Sequence, residues 1–167
     1  LLTFVRTKEL RTAKWADFDF EHADGALWKI PAGNMKKRRA HSEPLSRQAV
    51  ALLRELHAVN GNGEYLFPNV HHRVHPIMSE NSVNQALRRM GYKGIFTGHG
   101  CRGAAGTALA EKGYRLELVK AALSHAEENK TTAAYVHAEY LSERRTMMQA
   151  WADYLDSLAS GSSKGVA

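Results

Sequence analysis

Apolar residues recur at helical spacing over most of the chain and alternate with polar residues over two short stretches. The helical stretches are LLTFVRTKELRTAK, RQAVALLRELHAV, SENSVNQALRRM, a segment that begins near Gly98, RLELVKAALSH, a short segment around Tyr135, and a long one from about Ser142 to Leu158. The alternating stretches are ADFDFEH and ALWKIP, which flank a turn at Asp24 and predict a β-hairpin.

Capping and turn residues predict where these elements begin and end. EPLS follows the basic loop AGNMKKRRAHSE and suggests a third short strand, after which Ser46 is placed to cap a helix. Thr97 is placed to cap the helix that begins near Gly98, and Gly113 to close it. The predicted fold class is α+β, a predominantly helical domain with one small three-stranded antiparallel sheet.

The sequence at each end of the chain is unlike that at the edge of a folded domain. The chain opens on Leu1 without an initiator methionine and inside a helical pattern, so we expect a fragment that has lost an N-terminal region. Its last residues, SGSSKGVA, have the composition of a linker. We therefore expect one folded domain over residues 1–158 and a flexible tail over residues 159–167.

The charge balance favours a polyanionic partner. Lys and Arg number 23 against 17 Asp and Glu, which gives a formal net charge of +6 and a pI near 9.5. Nucleic acid is such a partner, although a merely basic protein fits the same numbers. The single cysteine, Cys101, excludes an internal disulfide framework and suits a reducing compartment. We therefore expect a cytoplasmic protein. No apolar run is long enough to span a bilayer.

An ordered series of side chains suits the cleavage of a phosphodiester without a metal. The series is Arg6, Lys36, His99, Arg102, His125 and Tyr135. His99 and Arg102 lie three residues apart in HGCR and so share a face near a helix N-terminus, where free N–H groups attract phosphate. That pair alone is weak evidence, because such pairs are common on solvated helix faces. A phenol also needs nearby cations and a base to act as a nucleophile at neutral pH.

The sequence contexts of these residues resemble those of the tyrosine recombinase family. The similar segments are RTKEL, WADFD, WKIPAGNMKKRRAHSEPLS, FTGHGCR, LSH, AAY and RRTMMQAWADYL. They cover almost the whole chain in the family's order, and they are most similar to phage-type integrases, in particular prophage integrases of the satellite-phage type. The resemblance implies the fold of a DNA breaking-rejoining catalytic domain whose N-terminal DNA-binding regions are absent from this chain. A type IB topoisomerase shares the chemistry, but its local motifs match less well.

The resemblance implies a nucleophile and a phosphate clamp. Tyr135 is expected to attack a DNA phosphate and form a 3′-phosphotyrosyl link. Arg6 and Arg102 are expected to bind the non-bridging oxygens, because the guanidinium fork matches phosphate geometry. Glu9 lies three residues after Arg6 and is expected to support the active-site cations, with an ordinary surface ion pair as the alternative.

The resemblance also implies the proton donors. Lys36 is expected to protonate the leaving 5′-oxygen, His99 to act as acid/base or hydrogen-bond donor, and His125 to donate to a non-bridging oxygen. The lysine is the residue that the sequence defines least well, because it opens a run of four cations that could form a solvated face. Alignment with the family motif selects Lys36, and Lys37 is the alternative.

The rest of the basic loop and three histidines have simpler interpretations. The loop cations other than Lys36 are expected to contact the DNA backbone. These are Lys37, Arg38 and Arg39. His71, His72 and His75 have no carboxylate or cysteine near them at a familiar metal-binding spacing, so we expect solvated or DNA-facing side chains. The family's chemistry requires no metal and no other cofactor.

The C-terminal helix presents an apolar face with two possible uses. Its members are Leu141, Met147, Met148, Trp151, Tyr154 and Leu155. They can pack on their own domain or dock on a neighbouring protomer, and we favour packing within the chain because an exposed apolar helix favours aggregation. Trp15, Trp28 and Phe67 are expected to be core residues.

The implied function is that of a site-specific DNA recombinase that integrates or excises a prophage or genomic island. The expected partners are double-stranded DNA attachment sites, a recombinase tetramer when the protein is full-length, and DNA-bending accessory proteins in the bacterial nucleoid. The alternative is an inactive DNA-binding module that retains the fold. A degenerate copy is expected to lose at least one of the six residues, and this chain has them all. The attachment-site sequence is not legible, because base readout depends on contacts and DNA shape.

Overall fold

The chain forms helices around a small sheet. The computed structural model describes residues 1–35, 38–69, 74–124 and 133–161, and over 133–139 it describes the backbone alone. Its elements are α1 (Thr7–Arg11), β1 (Phe18–Asp19), β2 (Leu27–Ile30), β3 (His41–Pro44), α2 (Arg47–Asn60), α3 (Ser82–Leu87), α4 (Gly98–Glu111), α5 (Leu116–Ala122) and α6 (Ala133–Ala159). The predicted α+β fold class is confirmed. Within the described ranges, no helix combines the length and the apolar character that a bilayer span requires.

The sheet has three antiparallel strands in the order β1, β2, β3. Phe18 pairs with Trp28, and their rings stack with centroids 5.0 Å apart. Ile30 pairs with His41, so β3 begins two residues before the predicted EPLS and ends at Pro44. Sequence patterning missed these two residues because β3 buries polar side chains, which an apolar–polar alternation does not reveal.

The predicted helix ends are confirmed where a cap was assigned. The Ser46 hydroxyl accepts a hydrogen bond of 3.2 Å from the backbone N–H of Ala49 at the start of α2. The Thr97 hydroxyl accepts one of 3.0 Å from the N–H of Gly100 at the start of α4. Gly113, just beyond the end of α4, has φ +85°, the left-handed conformation that glycine adopts without steric cost.

Two helix predictions were wrong. The opening stretch is not a helix from Leu1, since only Thr7–Arg11 is helical and the residues before it run as non-helical chain. The expected short helix around Tyr135 and the long one from Ser142 form a single helix, α6. No glycine or proline lies between its ends, so nothing in the sequence stops the helix between the two predicted segments.

Two buried clusters make up the interior. The first contains residues of α4, α5 and α6 and includes Phe4, Ala105, Leu109, Leu118, Val119, Met147, Met148 and Trp151. The second lies between the sheet and α2 and includes Val5, Ala13, Trp28, Ile30, Met35, Leu45, Ala49 and Leu66. The apolar face of α6 therefore packs within the chain, as we favoured from the sequence.

The predicted core aromatics lie in the second cluster or against it. Trp28 is fully buried, whereas Trp15 and Phe67 are partly buried and pack on the cluster from outside. Phe4 and Val5 are neighbours in sequence but enter different clusters. The residue that follows them, Arg6, is therefore held where the two clusters meet.

The packing of α4 gives a direct test of this arrangement. Leu109 is fully buried in the first cluster and lies on α4, the same helix that carries His99 and Arg102. Leu109→Ala should lower the free energy of unfolding by about 2–5 kcal/mol, because it leaves a cavity there. Leu116→Ala removes the same atoms from an exposed side chain and should change that free energy by less than about 0.5 kcal/mol. Chemical denaturation followed by circular dichroism compares the two, and equal losses would contradict the packing.

Candidate active site

The N-terminus of α4 is fixed tightly against α1 and α3. The backbone N–H of Gly98 donates a hydrogen bond of 2.9 Å to Asn84 Oδ1. A Cβ at Gly98 would lie 3.0 Å from Val83 Cγ1 and 3.3 Å from Thr7 Oγ1, so a larger residue would force the helices apart. Glycine at this position therefore allows the first turn of α4 to approach the segment that carries Arg6.

His99 and Arg102 lie one turn apart on α4 but in different environments. His99 is exposed, whereas Arg102 retains 6% of its possible exposure. Arg102 Nη2 donates a hydrogen bond of 2.6 Å to the carbonyl oxygen of Leu123, at the end of α5. Its Nη1 is buried and has no hydrogen-bond partner among the described residues. One side of this guanidinium is thus anchored, and the other retains unused donor capacity.

Arg6 is held by Glu9 in the first turn of α1. Glu9 Oε2 accepts a hydrogen bond of 2.6 Å from the Arg6 backbone N–H, and Oε1 accepts one of 2.8 Å from Arg6 Nη1. The carboxylate is 1% exposed, while the Arg6 side chain is 25% exposed. Because Glu9 occupies the third helical position, it can satisfy a free N–H at the helix start and orient the guanidinium together.

Arg6 and Arg102 are close enough to affect each other electrostatically. Burial lowers the pKa of Arg102, and the positive charge of Arg6 lowers that pKa further. The carboxylates of Glu9 and Glu43 oppose these effects and raise the Arg102 pKa. Arginine remains protonated at neutral pH in any case, so the result is a concentrated positive site whose repulsion two carboxylates reduce.

A buried ionic cluster that sequence analysis missed lies next to this site. Glu43 of β3 and Arg144 of α6 are both almost completely buried, and Arg144 Nη2 donates to Glu43 Oε2. Arg144 Nη1 donates a hydrogen bond of 2.9 Å to the Ser42 carbonyl oxygen. His41 Nε2 lies 3.0 Å from Glu43 Oε2 and 3.1 Å from Arg144 Nη2. The signal for this cluster was a glutamate in the third strand, since a carboxylate buried there requires a cationic partner.

Several predicted site residues lie outside what the structure describes. Lys36, Lys37 and His125 are outside the described residues, and so is the side chain of Tyr135, although its backbone belongs to α6. Lys36 and Lys37 follow the buried Met35, and His125 comes two residues after Leu123, whose carbonyl oxygen binds Arg102.

The other basic residues of the loop and the histidines are solvent-facing where they are described. Arg38 and Arg39 are exposed between β2 and β3, and Arg38 has φ +50°. His75 is exposed, while His71 and His72 lie outside the described residues. No group of three or more His, Cys, Asp or Glu side chains in the described part of the chain could hold a metal ion.

Comparison with known proteins decides the family. The model of the Phage integrase family matches residues 1–141, which is most of the chain. The chain belongs to the phage integrase family. The resemblance that we recognised in its motifs is thereby confirmed at the level of the family.

Individual members of the phage integrase family are similar over nearly all of this chain. The integrase of Enterobacteria phage P4 is 48% identical over 172 aligned positions, which cover 93% of this chain and 38% of that protein. Prophage integrase IntA of Escherichia coli K12 is 42% identical, with 97% of this chain and 38% of that protein covered. The integrase of Shigella phage Sf6 is 37% identical, with 92% and 39% covered. The chain thus spans about two fifths of the length of these integrases.

Because Glu9 is buried and paired with Arg6, neutralising its carboxylate should lower the free energy of unfolding of this integrase-family chain. Glu9→Gln keeps the size of the side chain but replaces one accepting oxygen with an NH2 donor, so one contact with Arg6 is lost and the other loses its charge. The change should lower the free energy of unfolding by about 1–3 kcal/mol. Glu111→Gln makes the same change at an exposed position and should shift it by less than about 0.5 kcal/mol. Thermal and urea denaturation measure both variants. A Glu9→Gln protein as stable as the parent would contradict a structural role for the pair.

Proposed function

We propose that this chain is the catalytic domain of a tyrosine-type site-specific recombinase, which cleaves DNA at attachment sites and rejoins it. The observation that carries the proposal is the pair of guanidinium groups at Arg6 and Arg102, together with the buried Nη1 of Arg102, which has no hydrogen-bond partner in the part of the chain that the structure describes. Two neighbouring cations repel each other in the free protein, and a buried donor without an acceptor is costly. A phosphodiester oxygen would relieve both conditions.

The proposed clamp also explains why arginine is suited to these positions. A phosphodiester carries one negative charge, and charge on its non-bridging oxygens increases as a nucleophile adds to phosphorus. Guanidinium groups fixed in advance, by Leu123 on one side and Glu9 on the other, meet that charge without reorganising. The contacts are therefore stronger in the transition state than in the bound substrate, which is the requirement for catalysis.

In the proposed reaction the Tyr135 hydroxyl attacks phosphorus. A bond forms between the phenolic oxygen and phosphorus, and the bond to the 5′-oxygen of the next nucleotide breaks. The phenolic proton passes to a base, for which His99 is the candidate, and Lys36 gives a proton to the departing 5′-oxygen. His125 is proposed to donate a hydrogen bond to a non-bridging oxygen. The products are a 3′-phosphotyrosyl protein and a free 5′-hydroxyl.

The covalent intermediate accounts for rejoining without an external energy source. The phosphotyrosyl bond retains the phosphodiester's bonding energy, so a 5′-hydroxyl can attack it and release Tyr135 in the reverse of the first step. When that hydroxyl belongs to another duplex, the result is strand exchange. We propose double-stranded attachment sites as the substrate, a recombinase tetramer as the assembly of the longer protein, and DNA-bending proteins as accessory partners.

The nucleophile can be tested without knowing the attachment site. The chain is incubated with a pool of nicked duplexes whose sequence is randomised around the nick. Cleavage close to the nick releases a short fragment that carries the free 5′-hydroxyl, and because this fragment diffuses away the adduct accumulates. Tyr135→Phe should abolish the protein–DNA adduct seen on a denaturing gel, because the attacking oxygen is gone. Tyr140→Phe makes the same change five residues later on α6 and should leave the adduct at the parent level.

Each outcome of that experiment separates the two candidate functions. An adduct that persists in Tyr135→Phe contradicts the assignment of the nucleophile. A parent chain that binds DNA but forms no adduct with any member of the pool supports the inactive DNA-binding module instead.

The choice between Lys36 and Lys37 can be tested with a modified leaving group. Lys36→Ala should slow adduct formation by about 100-fold or more, in the range typical of a lost general acid. A duplex with sulfur in place of the bridging 5′-oxygen should restore most of the rate, because a thiolate, with a conjugate-acid pKa of roughly 8.5, leaves without protonation. Lys37→Ala is the matched control. At saturating DNA, where a lost backbone contact no longer limits the rate, it should show neither the defect nor the rescue. A defect that sulfur does not rescue would contradict the role of Lys36 as the acid.

A further inference from the structure

The buried ion pair between Glu43 and Arg144 has no place in the proposed chemistry. The two side chains are 0% and 1% exposed, and Arg144 also binds the Ser42 carbonyl oxygen. They belong to different parts of the fold, since Glu43 is in β3 and Arg144 is in α6. The pair therefore joins the long C-terminal helix to the last strand of the sheet.

Stability alone does not account for this pair. Removing two charges from water costs as much as their attraction returns in many proteins, and apolar side chains of similar size often give equal or greater stability. A guanidinium differs from an apolar side chain in direction, because its planar fork must meet acceptors at set angles. Arg144 has such acceptors in Glu43 Oε2 and the Ser42 carbonyl oxygen. Its contacts define both the position and the rotation of α6 relative to β3.

The position of Arg144 along α6 connects this contact to Tyr135. The two residues are nine positions apart on one continuous helix, which corresponds to about 13.5 Å along the helix axis. Of the α6 side chains that the structure describes, Arg144 is the first after Tyr135 to be buried, since residues 140–143 are partly buried or exposed. The part of the helix that carries Tyr135 thus extends from the Arg144 contact.

The partner strand connects the same contact to Lys36. β3 follows the basic loop directly and pairs along its length with β2, which precedes that loop. A helix fixed on β3 is therefore fixed relative to both ends of the loop that carries Lys36. The attacking group thus belongs to α6, and the proposed leaving-group acid belongs to the loop that leads into β3.

The charges of the cluster also affect the phosphate clamp. Glu43 acts electrostatically on Arg102 as well as binding Arg144. Arg144 binds the same carboxylate, so its positive charge offsets part of the negative charge that Glu43 presents to Arg102.

We infer that Arg144 is a positioning residue. Through its contacts with Glu43 and the Ser42 carbonyl oxygen it holds α6, which carries Tyr135, in a fixed position relative to β3, to the loop that carries Lys36 and to Arg102. This inference rests on the proposed function of Tyr135. It assigns to Arg144 no contact with DNA, and it predicts an effect on the chemical step without an equal effect on binding.

The test uses a variant designed to fold. Glu43→Leu with Arg144→Met removes both charges together, so neither charge is left buried and unpaired. His41 Nε2 and the Ser42 carbonyl oxygen also lose their contacts with the pair, so thermal denaturation checks first that the variant folds, with a midpoint expected near that of the parent. Adduct formation on the randomised nicked-duplex pool should be slower by about 10- to 100-fold at saturating DNA, because small displacements of reacting groups cost that much. The DNA concentration that gives half the maximal rate should stay within about threefold of the parent's value, since no DNA contact is removed.

Two further variants separate positioning from charge. Arg144→Lys keeps the charge but loses the fork, and its rate should lie between those of the parent and the double variant. Arg145→Met removes the next arginine on α6, whose Nη1 donates to the Ala26 carbonyl oxygen just before β2. This contact is a single hydrogen bond to a neutral acceptor and not a buried ion pair, so the rate of this variant should stay closer to that of the parent than to that of the double variant. A double variant that folds and reacts like the parent would overturn the inference.

Hydrogen exchange provides a readout that does not depend on cleavage. In the double variant, amides over residues 133–143 should exchange at least about tenfold faster than in the parent, whereas those over 146–158 should change little. Unchanged exchange over 133–143 would overturn the inference whether or not an adduct forms. A parent chain that forms no adduct, but whose variant shows the faster exchange, would refute the proposed function and leave the helix attachment intact.

Discussion

The candidate site depends on two guanidinium groups, Arg6 and the buried Arg102, that lie close enough to repel each other and are balanced by carboxylates. Two like charges in a partly dehydrated site lower each other's stability, and a protein retains them only with compensation nearby. Glu9 compensates on the side of α1, and Glu43 on the side of the sheet. The site is consequently charged and ready for an anion before any ligand arrives.

Rigid elements supply each of the groups in this arrangement. Arg102 is on α4, whose first turn is capped and packed closely enough against α1 to require Gly98. Glu43 is in the sheet, and Arg6 begins the helix that contains its own carboxylate partner. Groups on helices and strands move less than groups on loops, so the guanidinium positions are well suited to stabilising charge that develops in one place.

The sequence predicted the parts of the fold that depend on local signals. Ser46 and Thr97 were identified as caps because their hydroxyls can accept from free N–H groups nearby, and the hairpin around Asp24 followed from alternation. The helix expected from Leu1 failed because Phe4 and Val5 pack in separate clusters, which periodicity does not reveal. The two helices expected near the C-terminus proved to be one, since the sequence between them contains no residue that ends a helix.

The candidate site likewise has a part that local sequence signals indicate and a part that they do not. The series from Arg6 to Tyr135 was legible because it recurs with recognisable neighbours, and Arg6, Glu9 and Arg102 do lie together. The cluster of Glu43 and Arg144 was not legible, because 101 residues separate the two partners and no local pattern relates them. Long-range ion pairs of this kind depend on how the elements pack, and a sequence without a structure does not specify them.

The divergence of Phe4 and Val5 into the two buried clusters has a mechanical consequence. Each side chain is anchored in its own cluster, and the Arg6 backbone follows immediately. Any sliding of the α4–α5–α6 layer over the sheet must therefore strain or displace this dipeptide, and with it the guanidinium one residue later. Phe4 and Val5 therefore make the position of the Arg6 guanidinium sensitive to sliding between the α4–α5–α6 layer and the sheet.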